Sequence, residues 1–390
     1  MLLSGGVDSS TVMKLCKAAG HYVEAFYLHV WYAEDFDNSW HQCPSEDDLW
    51  YARAACASAG VPLHSVPLTS QYWSGVVQEC LHEIVSGRTP NPDILCNARV
   101  KFGAFVDHLQ REFGFGSFDR IASGHYASIC RSYGEPSLLT AADSVKDQTY
   151  FLSKLSKSTL RKLMFPLGQY TKEEVRELAE ERFELPNADR HESQGICFLG
   201  KVPFRKFIER NVGTESGTIF EAETGRELGT HSGTWFFTIG QRQGLRLSHG
   251  PWYVVAKDPE ANALFVSRHY NDESKRRDAF EVSSISWIGG DDTGLPEAPL
   301  GSSARCLVKV RHGRELHICT LSLSDRGNDG HVQLDKSDQG LAPGQYAVFY
   351  TIDAHACLGS GIIAGSPAAP LVTNSDATNL EHLPEGVALR

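Results

Sequence analysis

The chain opens with a loop whose residue types suit phosphate binding. Residues 4–10 read Ser-Gly-Gly-Val-Asp-Ser-Ser and follow three apolar residues. Glycines permit a sharp turn and a close approach of the backbone, and helix N-termini present unpaired N–H groups that bind phosphate. The loop has no lysine, so it is not the GxxxxGK[ST] phosphate loop. We therefore predict a strand, a glycine turn and a helix that together hold a phosphate-bearing ligand.

Two cysteines lie in unusual sequence surroundings. Cys96 follows the proline-rich segment 88–95, and Cys197 lies in the polar, glycine-containing segment 189–200. We expect Cys96 to lie at the N-terminus of a helix, where the helix dipole stabilises a thiolate. Taken alone, each cysteine fits a structural thiol better than a nucleophile. A nucleotide-binding loop in the same chain reverses that preference.

Helical and strand patterns alternate through the first half of the chain. The predicted strands cover 22–30, 61–68 and 120–123, and the predicted helices cover 9–19, 45–59, 70–86, 96–113 and 171–182. This alternation predicts an α/β fold with a doubly wound parallel sheet, in which ligands bind at the carboxyl ends of the strands. The glycine loop and Gly124 fall at such ends. Because the glycine turn begins at residue 4, we expect the first strand to be cut short.

The pattern changes after residue 212, where helical periodicity gives way to short strands separated by turn residues. We predict an N-terminal α/β domain at 1–212, a small central β domain at 213–275 and a C-terminal β-barrel at 276–367. The central domain includes a hairpin formed by 252–257 and 263–267. The tail at 368–390 has the composition of a disordered segment.

Composition narrows the class of protein. The 390 residues carry a net charge of −11, so a nucleic-acid partner would have to meet a local basic surface. The ten cysteines form no CxxC pair, which argues against a zinc ribbon, a thioredoxin motif, a secreted disulfide scaffold or an iron–sulfur thiolase. The sequence contains no apolar run of membrane-spanning length and no signal or transit segment.

The loop at 4–10 resembles the SGGxDS loop of the PP-loop ATP pyrophosphatases. A wider set of motifs, in order along the chain, is similar to the tRNA-specific 2-thiouridylases within that superfamily. These motifs are SGGVDSS, GRTPNPDILCN, SGHYA, VKDQTYFL, FPLG, SQGICFLG, TIGQRQGL and a late PGQ. The resemblance implies an ATP domain, a central β domain and a C-terminal β-barrel. It also implies ATP-dependent 2-thiolation of the wobble uridine of tRNA, with the uracil O2 adenylated and sulfur delivered from a cysteine persulfide.

The resemblance assigns roles to particular residues. Those implied to bind ATP are Ser4, Gly5, Gly6, Val7, Asp8, Ser9, Ser10, Leu28 and Gly124. Asn91, Pro92 and Asp93 are implied to face the target base, with Asp93 as an acid/base or orienting group. Cys197 is implied to carry the persulfide, and Cys96 to close a disulfide with it as sulfur leaves. The residues implied to touch tRNA elsewhere are His125, Lys146, Asp147, Gln148, Arg311, His312 and Gln345.

The same resemblance implies ATP and Mg²⁺ as cofactors, tRNA and a persulfide donor protein as partners, and a monomer with no membrane association and no dedicated metal ligands. The location implied is an organelle in a eukaryote or the cytoplasm in a bacterium. We expect phosphate contacts from the cations Lys154, Arg161, Arg205, Arg210, Lys275, Arg276, Arg277 and Arg311. We also expect that removal of the barrel costs tRNA affinity and leaves ATP binding nearly intact. Two alternatives stay open, a PP-loop synthetase that amidates a small molecule and a non-catalytic RNA-binding protein.

Overall fold

A computed structural model describes residues 1–31, 44–131, 135–190, 204–269, 277–289, 303–324 and 327–365. Cys197, Lys275, Arg276 and the predicted tail at 368–390 lie outside these ranges. The chain divides into two compact units. One comprises Met1–Thr214 with Arg276–Ser366, and the other comprises Glu215–Lys275 with Pro367–Arg390. Within the described ranges, no helix combines the length and apolar character needed to cross a bilayer.

The first unit contains a parallel sheet next to the glycine loop. Strands β1 (Ala25–His29) and β2 (Leu63–Pro67) pair in parallel, as do two short strands, β3 (Ile121–Ala122) and β6 (Leu163–Met164). Residues 1–3 lie between the two pairs, because Leu2 donates to the carbonyl of Ala122 and Leu3 donates to that of Phe26. The predicted strands of this region are confirmed, and their apolar side chains form one core with the first two helices.

Helices cover this sheet, and most begin within a few residues of the positions predicted. Their bounds are Val7–Ala18, Pro44–Ala59, Thr69–Tyr72 continuing through Trp73–Val77 to Gln78–Val85, Pro92–Leu95 continuing through Cys96–Ala104 to Phe105–Phe113, Thr149–Leu152, Lys157–Leu160, Lys172–Glu177 continuing through Leu178–Arg182, and Phe204–Asn211. Thr171 and Glu174 cap each other's backbone N–H groups at the start of the helix at 172, as the sequence predicts.

A closed barrel forms the rest of the first unit. Within the described ranges its six strands are Arg277–Trp287 (β11), Ser303–Lys309 (β12), His317–Leu323 (β13), Gly330–Asp338 (β14), Tyr346–Tyr350 (β15) and Ala356–Gly365 (β16). They are ordered β11-β14-β13-β12-β15-β16, and pairing of β11 with β16 closes the ring. Strands β4 (Ser128–Cys130) and β5 (Ser137–Leu139) of the N-terminal region extend this sheet through the pairing of β5 with β16. Alternate side chains fill the barrel, as expected for a small closed sheet.

A buried ion pair joins the barrel to the N-terminal region. The ammonium of Lys309 lies 3.2 Å from the carboxylate of Asp147, and both side chains are at least nine-tenths buried. The same carboxylate accepts hydrogen bonds from the hydroxyl of Thr149 and the backbone N–H of Ala141. The hydroxyls of Thr149 and Tyr350 lie 3.1 Å apart beside it. These bonds satisfy two charges that would otherwise be costly to bury.

We expect Asp147→Ala to lower the free energy of unfolding by roughly 3–5 kcal/mol, because Lys309 would stay buried without its partner. Urea unfolding followed by circular dichroism measures the change. The double variant Asp147→Ala/Lys309→Met should recover much of the loss. Asp335→Ala, which breaks the exposed pair with Arg305, is the matched control and should change stability little. An equal loss in both single variants would contradict the role given to the buried pair.

The second unit is a small antiparallel and parallel sheet. Its strands are Gly217–Glu221 (β7), Glu227–His231 (β8), Tyr253–Asp258 (β9) and Ala263–Ser267 (β10), in the order β8-β7-β10-β9. The predicted hairpin is confirmed as the antiparallel pair β9–β10. Between β8 and β9 the chain forms a long loop that includes the TIGQRQGL motif at 238–245.

Candidate active site

The glycine loop forms a turn into the helix Val7–Ala18. Gly5 has a φ of 77°, and a Cβ there would lie 2.1 Å from the carbonyl oxygen of Asp48, so only glycine fits. Gly6 is the N-cap of the helix, and the Ser9 hydroxyl lies within 3.2 Å of both the backbone N–H and the hydroxyl of Ser4. Loop and helix N-terminus therefore form the phosphate-binding geometry that the sequence predicts.

Two side chains that are distant in sequence, Asn187 and Arg190, form hydrogen bonds to this loop. Asn187 donates to the carbonyl of Gly5 at 2.8 Å and to the Ser10 hydroxyl at 3.0 Å. The guanidinium of Arg190 also donates to Gly5, pairs with Asp48 and lies 4.6 Å from the ring of Tyr51. These bonds fix the carbonyl of Gly5 and so hold the turn in its conformation.

Gly124 approaches the same helix N-terminus. A Cβ at this position would lie 3.0 Å from the backbone nitrogen of Ser9 and 3.2 Å from the carbonyl carbon of Asp8. Leu28 is the penultimate residue of β1 and lies at the carboxyl end of that parallel strand. The structure thus places Gly124 against the glycine loop and Leu28 at the strand ends, where a parallel sheet binds its ligands.

Asp8 faces a lysine that the sequence analysis did not identify as functional. The ammonium of Lys172 donates to Asp8 Oδ1 at 2.6 Å, and the phenol of Tyr126 donates to the same oxygen at 3.1 Å. The ammonium also lies 5.9 Å from the Tyr126 ring. Lys172 is only 13% exposed, and its backbone N–H donates to Asp143. The fold therefore supplies a cation beside a phosphate-type loop that has none of its own.

The sequence contained one indirect signal for Lys172. The capping box at Thr171 and Glu174 fixed the start of a helix, and therefore placed a lysine at its first position. Nothing in the sequence showed that this helix start lies against Asp8, because 164 residues separate the two side chains. A tertiary contact at that separation is not encoded in any local motif.

The position of Cys96 corrects the sequence prediction. The helix begins at Pro92 with Asn91 as its N-cap, whose side chain accepts a hydrogen bond from Ile94. Cys96 lies one turn inside, and its own N–H already bonds to the carbonyls of Asp93 and Pro92. The expectation of Cys96 at the helix N-terminus was therefore wrong, because proline fits the first helical position and starts the helix earlier. Asp93 occupies the first turn instead, where the helix dipole favours a carboxylate.

The barrel fixes the loop that carries Asn91 and Asp93. Thr89 donates its backbone N–H to the carbonyl of Pro343 at 2.7 Å. Gly344 has a φ of 89°, and a Cβ there would lie 2.8 Å from the nitrogen of Thr89. The late PGQ motif thus has a physical reason, because its glycine allows the barrel backbone to reach the 88–93 loop.

Aromatic and imidazole rings lie where these elements meet. The ring of His312 packs against that of Phe151 with centroids 4.5 Å apart and an angle of 31° between the ring planes, and Tyr150 donates to the carbonyl of Tyr346 at 3.0 Å. Burial and the charge of Lys309 lower the pKa of His312, against the opposing charges of Asp147 and Asp93. The imidazole is therefore favoured in its neutral form beside the Asp93 loop.

Hydrogen bonds connect the glycine loop to the helix that carries Cys96. Tyr126, which bonds to Asp8, exchanges two bonds with Gln148, through its N–H to Gln148 Oε1 at 2.9 Å and through its carbonyl. Three residues further on, the carbonyl of Phe151 accepts from Asn97, the neighbour of Cys96. The segment 147–151 thus links the two sites within one unit.

Several residues implied to touch tRNA have other partners in this structure. The Asp147 carboxylate is enclosed by Lys309, and Arg311 forms two bonds of 2.7 and 2.8 Å to Asp338. His125 bonds to Ser123 and lies between the rings of Phe102 and Phe165, where burial lowers its pKa. The Gln345 side chain lies 3.4 Å from the Tyr150 hydroxyl. Lys146 is partly buried and donates its backbone N–H to Asp143.

Carboxylates also occupy much of the predicted basic surface. Arg161 pairs with Glu135, and Arg205 pairs with Glu209. Lys154 lies 5.5 Å from the Tyr346 ring, and burial lowers its pKa. To bind an RNA phosphate, each of these cations would have to exchange its present partner for the phosphate.

Three family models match the chain in succession. Residues 1–201 match the tRNA methyl transferase HUP domain, 205–268 the tRNA methyl transferase PRC-barrel domain, and 277–363 the aminomethyltransferase beta-barrel domain.

Curated relatives extend over almost the whole chain. A protein named tRNA-specific 2-thiouridylase MnmA from Parabacteroides distasonis is 42% identical over 93% of this chain and 97% of its own length. A protein of that name from Porphyromonas gingivalis strain ATCC 33277, and one named MnmA 1 from Bacteroides thetaiotaomicron, are each 41% identical over 93% of this chain and 98% of their own length. The chain belongs to the tRNA-specific 2-thiouridylase family.

Proposed function

We propose that this protein is a tRNA sulfurtransferase that forms 2-thiouridine at the wobble position with ATP as the activating substrate. The observation that carries the proposal is the hydrogen-bonded link between two sites. The glycine loop with Asp8, paired to Lys172, is one, and the helix start that carries Asp93 and Cys96 is the other. The first suits a nucleotide triphosphate, and the second offers an acid or base and a thiol. The names of the relatives support tRNA as the macromolecular substrate.

The activation step uses the glycine loop. The uracil O2 attacks the α-phosphorus of ATP, the bond to the β-phosphate breaks, and pyrophosphate leaves. The N–H groups at Gly6 and Val7 and the hydroxyls of Ser4 and Ser9 would bind the phosphates, and Lys172 would compensate the charge of the leaving pyrophosphate. Asp8 suits a Mg²⁺ ion, since this metal usually takes one or two carboxylates and completes its shell with phosphate oxygens and water.

The sulfur-transfer step uses the two cysteines. The terminal sulfur of a Cys197 persulfide attacks C2 of the adenylated base, and AMP leaves with the former O2 oxygen. The thiolate of Cys96 then attacks the inner sulfur of Cys197, so the S–S bond breaks and its electron pair stays on the sulfur of the base. A Cys96–Cys197 disulfide results, and a cellular thiol reductant returns both cysteines to thiols. Cys197 lies outside the described residues, so its role rests on family membership.

Asp93 would act as the acid, base or orienting group for the target base, and His312 would position that base. Asp93 lies in the first turn of its helix, and its charge reaches the imidazole of His312. The neutral ring of His312, backed by Phe151, offers a surface on which an extruded pyrimidine can stack. A wobble uridine outside the anticodon stack would therefore meet a carboxylate, a thiol and a ring platform together.

The direct test is a reaction with a tRNA transcript, ATP, Mg²⁺ and a persulfide donor, followed by mass spectrometry of the nucleosides. We expect 2-thiouridine at the wobble position, with one pyrophosphate and one AMP released for each sulfur transferred. Incubation without ATP is the control. Methylated uridine in place of thiouridine, or turnover of ATP with a small amine and no tRNA, would contradict the proposal.

A further inference from the structure

The central unit contains a basic cavity that the proposed reaction does not use. It has a volume of about 280 Å³ and is lined by Arg242, Leu245, Arg246, Leu247, Pro251 and Trp252, with Gly250. Arg242 and Leu245 belong to the TIGQRQGL motif at 238–245, and the other lining residues follow it within 246–252. Neither the fold nor the chemistry of the first unit gives this motif a role.

The first of the two glutamines in the motif, Gln241, stabilises the conformation of the loop. Gln241 accepts a bond from the N–H of Thr238 at 3.1 Å and donates to the carbonyl of Gln243 at 2.9 Å. Its backbone carbonyl accepts from Val254 at 3.0 Å, and Gly240 donates to Val254 in return. The loop is therefore fixed to strand β9 directly before Arg242, through backbone and glutamine bonds that do not involve the arginine side chains.

Both arginines at the cavity are exposed. In the part of the chain that the structure describes, neither Arg242 nor Arg246 forms a hydrogen bond or an ion pair. Arg246 has a φ of 54° and His249 a φ of 58°, a conformation that costs free energy for residues other than glycine. By contrast, Arg226 on the same unit pairs with Glu221 at 3.4 Å.

The rest of the cavity wall is apolar and rigid. Trp252 is buried, donates to the carbonyl of Ser248 at 2.9 Å and lies 5.1 Å from the guanidinium of Arg268. Leu245 is buried beside it. Two guanidinium groups in one cavity with apolar side chains suit a phosphodiester with its attached nucleoside, since arginine binds phosphate in a bidentate manner and stacks on planar groups.

We propose that this cavity in the central unit binds a backbone phosphate and the adjoining nucleoside of the substrate tRNA. The inference rests on the proposed function for the identity of the RNA. In a chain with a net charge of −11, RNA affinity must come from such local basic sites, and Arg242 and Arg246 are free where several predicted cations are already paired.

The test is tRNA affinity as a function of salt concentration for the full chain and its variants, without ATP. Arg242→Gln/Arg246→Gln should weaken tRNA binding about tenfold or more at low salt, because it removes two charged hydrogen-bond donors. The slope of log affinity against log salt should become shallower by roughly 1.4 to 1.8, which is the loss of two phosphate contacts. Arg242→Lys/Arg246→Lys should restore the slope but not the full affinity, because an ammonium cannot bind phosphate with a planar fork.

Arg226→Gln is the matched control and should leave both quantities unchanged. ATP affinity and the midpoint of thermal unfolding, measured on every variant, show whether the fold is intact. If the glutamine variant is unstable, the affinity and salt slope of the lysine variant still test the site. Addition of inorganic phosphate should compete only weakly, since a polymer contributes further contacts.

Wild-type tRNA binding with an unchanged slope in the glutamine variant would overturn this inference and leave the proposed function standing. A wild-type protein that does not bind tRNA would overturn both. Displacement of tRNA by inorganic phosphate alone, at equal strength in the variant and the wild type, would also count against the site.

Discussion

Lys172→Met is expected to reduce tRNA-dependent release of pyrophosphate on the order of 100-fold, a loss comparable to that of one preorganised donor to a developing anion. The physical reason is that Lys172 is the cation at Asp8, with Tyr126 on the same carboxylate oxygen. Asp8→Ala is expected to abolish the release altogether, because it removes the carboxylate suited to Mg²⁺ and the partner that positions Lys172. Pyrophosphate release is measured at saturating tRNA, and ATP affinity is measured separately. The two measurements distinguish an effect on ATP binding from an effect on the chemical step.

Two further lysine variants serve as controls for Lys172→Met. Lys172→Arg should retain part of the activity, since charge is kept. Lys14→Met is the matched lysine variant, because Lys14 lies on the glycine-loop helix and donates to the carbonyl of Ser58 rather than to Asp8. A Lys172→Met protein with normal pyrophosphate release would show that the ion pair only supports the fold. Equal urea midpoints in the wild type and the variant would locate any activity loss in the reaction.

Cys197→Ser is expected to eliminate thiolation, and Cys96→Ser is expected to stop the reaction one step later. Without Cys197 there is no persulfide, so no sulfur reaches the base. Without Cys96 the persulfide forms and attacks C2, but the S–S bond joining enzyme and tRNA is not broken by an internal thiol. Mass spectrometry should therefore find a protein–tRNA adduct in Cys96→Ser that dithiothreitol releases as 2-thiouridine.

Cys130→Ser is the control for the cysteine variants. Cys130 is a partly buried cysteine on β4, and its replacement should leave multiple turnover nearly unchanged. Full multiple turnover by Cys96→Ser with a persulfide donor would contradict the disulfide step. Persulfide formation on Cys96 instead of Cys197 would reverse the two roles.

The packing of the barrel bears on the deletion experiment that the sequence suggested. The sequence predicted a separate C-terminal barrel that could be removed while ATP binding stays nearly intact. In the structure the barrel belongs to the same compact unit as the N-terminal region. Its removal would expose the carboxylate of Asp147 and the core hydroxyl of Thr149, so deletion would disturb the segment that links the two halves of the site. Point variants are the cleaner experiment.

Local patterns were sufficient for the glycine loop, the parallel strands, the capping box at Thr171, the hairpin in the central unit and the family. Each depends on neighbours within a few residues, where backbone conformation and hydrophobic periodicity are expressed directly. The helix start at Pro92 was also readable in principle, since asparagine followed by proline is a common beginning of a helix. Reading the prolines only as loop residues placed Cys96 one turn too early.

Only the tertiary structure decided which charges meet. Lys172 reaches Asp8 across 164 residues, Lys309 reaches Asp147 across 162, and Arg311 is bound to Asp338 across a hairpin. A charged residue in a sequence looks the same whether it will be buried with a partner or left free for a ligand. Pairing depends on how sheet, helix and barrel pack, and that packing gave the glycine loop its cation. In the central unit, Arg242 and Arg246 have no ion-pair partner among the residues that the structure describes.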